Sequence, residues 1–236
     1  MERIVFRVAL LGLILTSVFG IIGCGGGGGG GDSGPVTSTE TFQLKTAYIN
    51  SLTTASSKPF SISGTSSGIS VSGSGTVTES SLTSAVFEGV SCNQQVMTVT
   101  GNVSGSGTTV PFGGTQTTYY DSNYNYLGSS SDDYTVVIGT MSLPQTAKVN
   151  DTGVVFTETI YPSSVKAYST GTNTFSYTLE PDTATTALLK LILTEKNTSG
   201  TVVSTSIKVS RITPAGASTD LYETTVEDSI SLKITY

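Results

Sequence analysis

The 236-residue chain has no histidine, no tryptophan, only two cysteines and only 12% charged side chains. Each shortage closes off a class of chemistry. Without histidine there is no imidazole general base, no Ser–His relay and no histidine-ligated metal, the commonest routes to an active site at neutral pH. A net charge of −6 with scattered lysines leaves no basic stripe to follow a phosphate backbone, so nucleic acid is not an expected partner. The length allows one sizeable domain or two small ones.

What is present begins with the amino-terminal segment. Arg3 and Arg7 precede a nearly continuous apolar run from Val8 to Phe19, too short for a comfortable membrane span of about 20 residues. Then comes "IIGCGGGGGGGDSG", residues 21–34, where one cysteine meets seven glycines. No packed core wants such a run, since each glycine gives up the most backbone freedom on folding and brings no side chain. A positive start, a short apolar stretch and a small residue before the cut are the parts of an export signal.

Ile21-Ile22-Gly23-Cys24 resembles the lipobox of bacterial lipoproteins. The resemblance covers about the first 24 residues and implies that Cys24 carries a diacylglyceryl group, with the signal removed before it. Two or more acyl chains hold a protein stably on a bilayer, whereas one does not. The sixteen residues 25–40 then read as a tether, spanning about 20–25 Å on average if flexible. Gly25 stands where an aspartate would imply retention in the inner membrane, so the resemblance implies the outer membrane. With Cys24 acylated, Cys92 has no intrachain partner. Within "VFEGVSCNQQVMTV" it reads as a small buried hydrophobe.

The chain therefore divides into a signal at 1–23, a lipidated cysteine and tether at 24–40, and a domain at 41–236. Leu44, Tyr48 and Leu52 recur at helical spacing and predict one short amphipathic helix. After Pro59 the apolar period becomes two. Phe60 and Ile62, then Ile69 and Val71 across a Gly/Ser turn, predict a hairpin. Similar runs follow at 84–91, 95–103, 108–112, 116–120, 133–140, 153–161, 164–168, 173–180, 202–212, 219–224 and 229–236. Residues 183–197 fit either a helix ending at Gly200 or a central strand. The strand is preferred, because Val202, Val203 and Ile207 continue beyond a hairpin-length turn. The expected fold is all-β, a single antiparallel domain of about a dozen strands, as a sandwich or strongly curved sheet, with one short N-terminal helix.

Four segments invite chemical readings. In "YYDSNYNYLGSSSDDY", 119–134, Asp121, Asn123, Asn125 and Asp132 fall at calcium-loop spacing, but Tyr126 takes the place of the required glycine. Asx residues also make turns unaided. Tyr119, Tyr120, Tyr124, Tyr126 and Tyr134 in the same segment would suit a ligand surface, or simple strand alternation. Asp151-Thr152-Gly153 matches an aspartic-protease triplet, yet that chemistry needs two such aspartates and the chain has one copy, so a turn is expected. "VSGSGT" occurs at 71–76 and again at 103–108, where glycines that let strands bend explain both copies. Ile230, Leu232, Ile234 and Tyr236 alternate at the C-terminus. That ending resembles the last strand of outer-membrane β-barrels and equally suits a soluble sheet with one apolar face.

The functional expectation is a non-catalytic binding or structural module of the bacterial envelope, anchored to the bilayer through Cys24. Three alternatives stand beside it. One is a carrier of a lipophilic ligand, because a helix followed by a curved sheet resembles the lipoprotein carriers of lipidated proteins in architecture. The others are a hydrolase working without histidine and a membrane β-barrel.

Overall fold

The structure is a computed structural model and describes residues 37–236. Helix α1, Leu44–Leu52, is followed by thirteen strands: β1 Ser56–Ser66, β2 Ile69–Glu79, β3 Thr83–Phe87, β4 Val90–Gly105, β5 Thr108–Tyr120, β6 Tyr126–Ser130, β7 Tyr134–Ile138, β8 Thr152–Tyr161, β9 Gly171–Pro181, β10 Ala187–Asn197, β11 Val202–Ile212, β12 Ser218–Glu227 and β13 Ile230–Thr235. Nearly every strand pairs antiparallel with its sequence neighbour, as expected of hairpins. Two-residue turns join β1 to β2, β3 to β4 and β4 to β5. In each, a residue at φ 50–51° (Ser67, Glu88, Ser106) precedes a glycine at 77–78° (Gly68, Gly89, Gly107). Two successive positive φ values match the right-handed twist of the flanking strands and favour glycine at the second position.

The sheet closes. β13 pairs with β1, and β2 pairs with β4 as well as with β1, so twelve strands form a barrel and β3 is left as a short extension beside β4. The closing seam lies where the two "VSGSGT" copies meet, with Val71–Gly73 opposite Gly105–Val103. A side chain at Gly75 would sit 2.3 Å from the Thr100 carbonyl oxygen and 2.6 Å from the Phe60 ring. The glycines there permit a backbone approach that any Cβ would block.

Inward positions show in the burial pattern. β9 buries Gly171, Asn173, Phe175, Tyr177 and Leu179; β10 buries Ala187, Leu189, Leu191 and Leu193; β13 buries Ile230, Leu232 and Ile234. About eight strands give an interior that side chains just fill, so twelve require more filling. The helix supplies part of it. Phe42, Leu44, Tyr48 and Leu52 are fully buried and pack with Tyr120, Tyr126, Phe156, Phe175 and Leu179. The helix segment is tied to three loops at one end of the barrel. The Phe42 amide donates to the Ala147 carbonyl at 2.8 Å, Lys45 Nζ to Asn125 Oδ1 at 3.0 Å, and the Gln43 amide to the Pro214 carbonyl at 3.2 Å. A second apolar cluster lines the seam side: Phe60, Ile62, Val77, Met97, Val99, Ile230, Leu232 and Ile234.

The outward face is mostly hydroxyl. Ser61, Ser63 and Thr65 on β1, Ser70, Ser72 and Ser74 on β2, and Ser231, Lys233 and Thr235 on β13 are all exposed. Cross-strand pairs such as Ser104–Thr109 at 2.7 Å and Thr152–Thr178 at 3.1 Å link neighbours on that surface.

The expected all-β fold, the helix at 44–52 and the strand at 183–197 are present, the last as β10. Three details differ. The strongly curved sheet closes on itself as a barrel rather than packing as a sandwich. The run at 164–168 is not a strand but part of the β8–β9 loop, where Lys166 sits at φ 54°. Residues 126–130, read as loop, form β6. Cys24, the signal and the glycine run lie outside the described residues.

Candidate functional site

Polar chemistry gathers in two places, inside the barrel and in a cleft on its outer wall. Inside, the first focus is neutral apart from one carboxyl. Glu158, fully buried, accepts from Tyr126 Oη at 2.8 Å and from Asn173 Nδ2 at 2.8 Å. Thr135 Oγ1 lies 3.2 Å from Tyr126 Oη and accepts from the Ser129 amide at 3.0 Å. Burial pushes the Glu158 carboxyl above the ordinary carboxylate range, and its hydrogen bonds partly offset that. The second focus is ionic. Lys208 Nζ sits 2.8 Å from Asp220 Oδ1, both side chains fully buried, and Ser210 Oγ donates to the same carboxylate at 2.7 Å. Lys58 approaches Asp220 Oδ2 at 3.6 Å. Glu79 accepts from Ser56 Oγ at 2.7 Å, and Glu223 accepts from Tyr236 Oη at 3.2 Å.

This focus holds two cations and three carboxyls. Burial raises the Glu79 carboxyl and raises the Glu223 carboxyl strongly, while the Lys208 charge pulls Glu223 back only in part. Burial also lowers the Lys58 ammonium, with Asp220 opposing. Glu158, Lys208, Asp220, Glu79 and Glu223 are all buried, while the Lys58 side chain is 18% exposed.

The outer cleft has about 390 Å³ of volume, within the usual 300–1,000 Å³ range for small-ligand pockets. Tyr119 on β5 forms its floor. The β6–β7 turn with residues 130–133, Tyr134 at the start of β7, and residues 162–164 of the β8–β9 loop form its walls. The β3–β4 hairpin backs it. The Phe87 ring stacks on Tyr119 with centroids 4.3 Å apart and tilts against Tyr134 at 5.4 Å. Phe87 also lies over Gly128, where a Cβ would fall 2.6 Å from its ring. Tyr134 Oη donates to Glu88 Oε1 at 2.6 Å, and Lys166 pairs with the same Glu88. These bonds hold the Glu88 carboxyl below its usual range. Burial, reinforced by the Glu88 bond, raises the Tyr134 phenol. Both cleft tyrosines are therefore fixed in orientation, Tyr119 by a 3.2 Å contact to Ser130 Oγ.

The structure separates the residues that the sequence grouped. Asp121 is an Asx turn: Oδ1 accepts from the Asn123 amide at 2.7 Å and the Asn125 amide at 2.8 Å, and Oδ2 accepts from Asn125 Nδ2 at 2.9 Å. Asn125 Oδ1 faces Lys45. Asp132 stands at the far end of β6, five residues of strand away. Asp121 and Asn125 are thus engaged with each other and with Lys45, while Asp132 lies in the β6–β7 turn; no group of three or more His, Cys, Asp or Glu that could hold a metal ion occurs among the described residues.

The five tyrosines divide across the barrel wall. Tyr120 and Tyr126 point inward and meet edge-to-face at 6.2 Å; Tyr124 packs beside the core; only Tyr119 and Tyr134 reach the cleft. Asp151 closes a turn before β8, its carboxylate accepting from the Lys148 amide at 2.8 Å. Cys92 is a buried free thiol, pushed up by that burial. Phe87, Glu88, Lys166 and 162–164 were not singled out in sequence, since nothing local marks a hairpin tip that folds onto a distant loop.

No protein-family model, no curated protein and no solved structure matches the chain.

Proposed function

We propose that the chain is an envelope lipoprotein, held at the outer membrane by acyl groups on Cys24, whose barrel is a non-catalytic binding module presenting the outer cleft. The observation that carries the reading is the cleft itself. Three separate segments converge to fix two aromatic rings, several hydroxyls and a pair of aspartates around an open volume. Loops placed by a rigid scaffold are where recognition commonly resides. Two features support a barrel bathed in water rather than lipid. A membrane barrel needs an outward apolar band on its strands, and here the outward residues of β1, β2 and β13 are serine, threonine and lysine apart from Pro59 and Ile69. The alternating apolar residues of β13 turn to the core instead. The interior carries Lys208, Asp220 and Glu223, a poor solvent for an acyl chain, which favours the wall over the lumen as the binding face.

The test compares the intact protein with Cys24→Ser in membrane fractionation and intact-mass measurement. The native chain should pellet with membranes and carry a lipid mass. The variant should carry none and remain in the soluble fraction. A variant that still floats with membranes, or that needs detergent to stay in solution, refutes the lipid-anchored, water-facing reading.

A further inference from the structure

We infer that the outer cleft is a subsite for a neutral saccharide; this rests on the reading of the barrel as a binding module. A pyranose has an apolar C–H face and a rim of hydroxyls that both donate and accept. It is matched by an aromatic face with acceptors and hydroxyls around it. Tyr119 and Tyr134 supply rings that are locked before any ligand arrives, because Phe87 packs on both and each phenol oxygen has a partner. A preorganised tyrosine costs little entropy on binding and gives a large contact area. Asp132 brings a carboxylate to the same wall, able to accept from vicinal hydroxyls. Ser131, Ser163 and Ser164 add groups that donate or accept as required. No lysine or arginine lines the cleft, and Lys166 on the neighbouring loop is engaged by Glu88, so phosphate, sulfate and carboxylate ligands meet no counter-charge. The volume suits a small ligand or one end of a chain, and the cleft opens to solvent, which lets an oligosaccharide run out of it.

The experiment is saturation-transfer NMR and calorimetry on the intact purified protein with a panel of neutral tetrasaccharides of glucose, mannose, galactose and N-acetylglucosamine, plus tetramethylammonium as a cationic probe. At least one tetrasaccharide should bind. Asp132→Asn should weaken it about ten-fold, the equivalent of about 1.4 kcal/mol for a lost charge-assisted hydrogen bond. Tyr119→Ala should weaken it similarly, and Tyr119→Phe, which keeps the ring, should not. Ser163→Trp alters only an exposed loop residue and should abolish binding by filling the cleft without lowering thermal stability. No binding by any tetrasaccharide overturns the saccharide assignment. Binding of tetramethylammonium alone also overturns it, while leaving the module reading intact. A tetrasaccharide that binds Ser163→Trp as well as the native protein moves the site elsewhere and overturns the cleft. None of these outcomes touches the Cys24 result, so failure of the anchor and failure of the ligand class are told apart.

Discussion

Replacing Lys208 with methionine is the sharpest probe of how this barrel holds a charged interior. Lys208 and Asp220 are both fully buried and 2.8 Å apart. Removing one partner of such a pair typically costs about 3–5 kcal/mol, because the other charge is left uncompensated. Ser210 still donates to Asp220, and Lys58 remains 3.6 Å away, so the lower half of that range is expected. The prediction is a destabilisation of about 3–4 kcal/mol. Adding Asp220→Leu should restore much of it, since apolar replacement of a whole buried pair is often neutral or better. The assay is urea unfolding at pH 7, read by tyrosine fluorescence. A loss below about 1 kcal/mol would refute the view that this pair is dry and mutually dependent.

Other predictions follow from the same interior and from the seam. Glu79, Glu158 and Glu223 have native carboxyls raised by burial, so the native state holds their protons more tightly than the unfolded chain does. Their contribution is complete below about pH 4.3, the ordinary glutamate value, and is lost as pH rises through each raised native value. Glu88 and Asp182, both lowered by partners, act in the opposite direction, contributing above the ordinary value and losing that as pH falls. Glu223→Gln should therefore flatten the decline of the urea midpoint as pH rises above about 4.3, and an unchanged profile would show that Glu223 contributes nothing to it. Gly75→Ala should cost about 1–3 kcal/mol by overpacking, seen as a melting-point drop of about 2–4 °C per kcal/mol. A neutral result would mean that the seam is looser than 2.3 Å implies. Tyr126→Phe removes one donor from buried Glu158 and should cost about 1–3 kcal/mol by calorimetry; no loss would place water at that carboxylate.

The elements of this fold were legible in the sequence, but their closure was not. Period-two runs and Gly-containing turns mark local hairpins, and the fold is almost wholly hairpins. The β2–β4 pairing skips β3, and no local pattern announces a strand that must bypass its neighbour. β6 was hidden because Tyr126–Ser130 combines one aromatic with Gly128 and two serines, a composition that reads as loop. The cleft was half visible: the tyrosine-rich segment supplied Tyr119, Tyr134 and Asp132, while Phe87 and 162–164 reach it only through tertiary folding.

Periodicity alone does not tell which face of β11 points inward. On β11 the apolar Ile207 looks inward by pattern and Lys208 outward, yet Lys208 is fully buried and Ile207 only partly so. The inversion runs along the strand, with Ser204, Ser206 and Ser210 also buried. Hydrophobic alternation fixes the facing of a strand only where its partners across the core are apolar. Here β12 opposes β11 with Thr225 beside Ser206, Glu223 beside Lys208 and Asp220 beside Ser210, so hydroxyl faces hydroxyl and charge faces charge. A one-residue slip would point Ile207 inward, but it would also turn Lys208 outward and part it from Asp220. The register bulge at Val209/Ser210 lets Val209 be buried as well, recovering apolar contact without giving up that pairing. The facing of β11 is thus set by complementary polarity across a strand pair, information that resides in two segments at once and in neither alone.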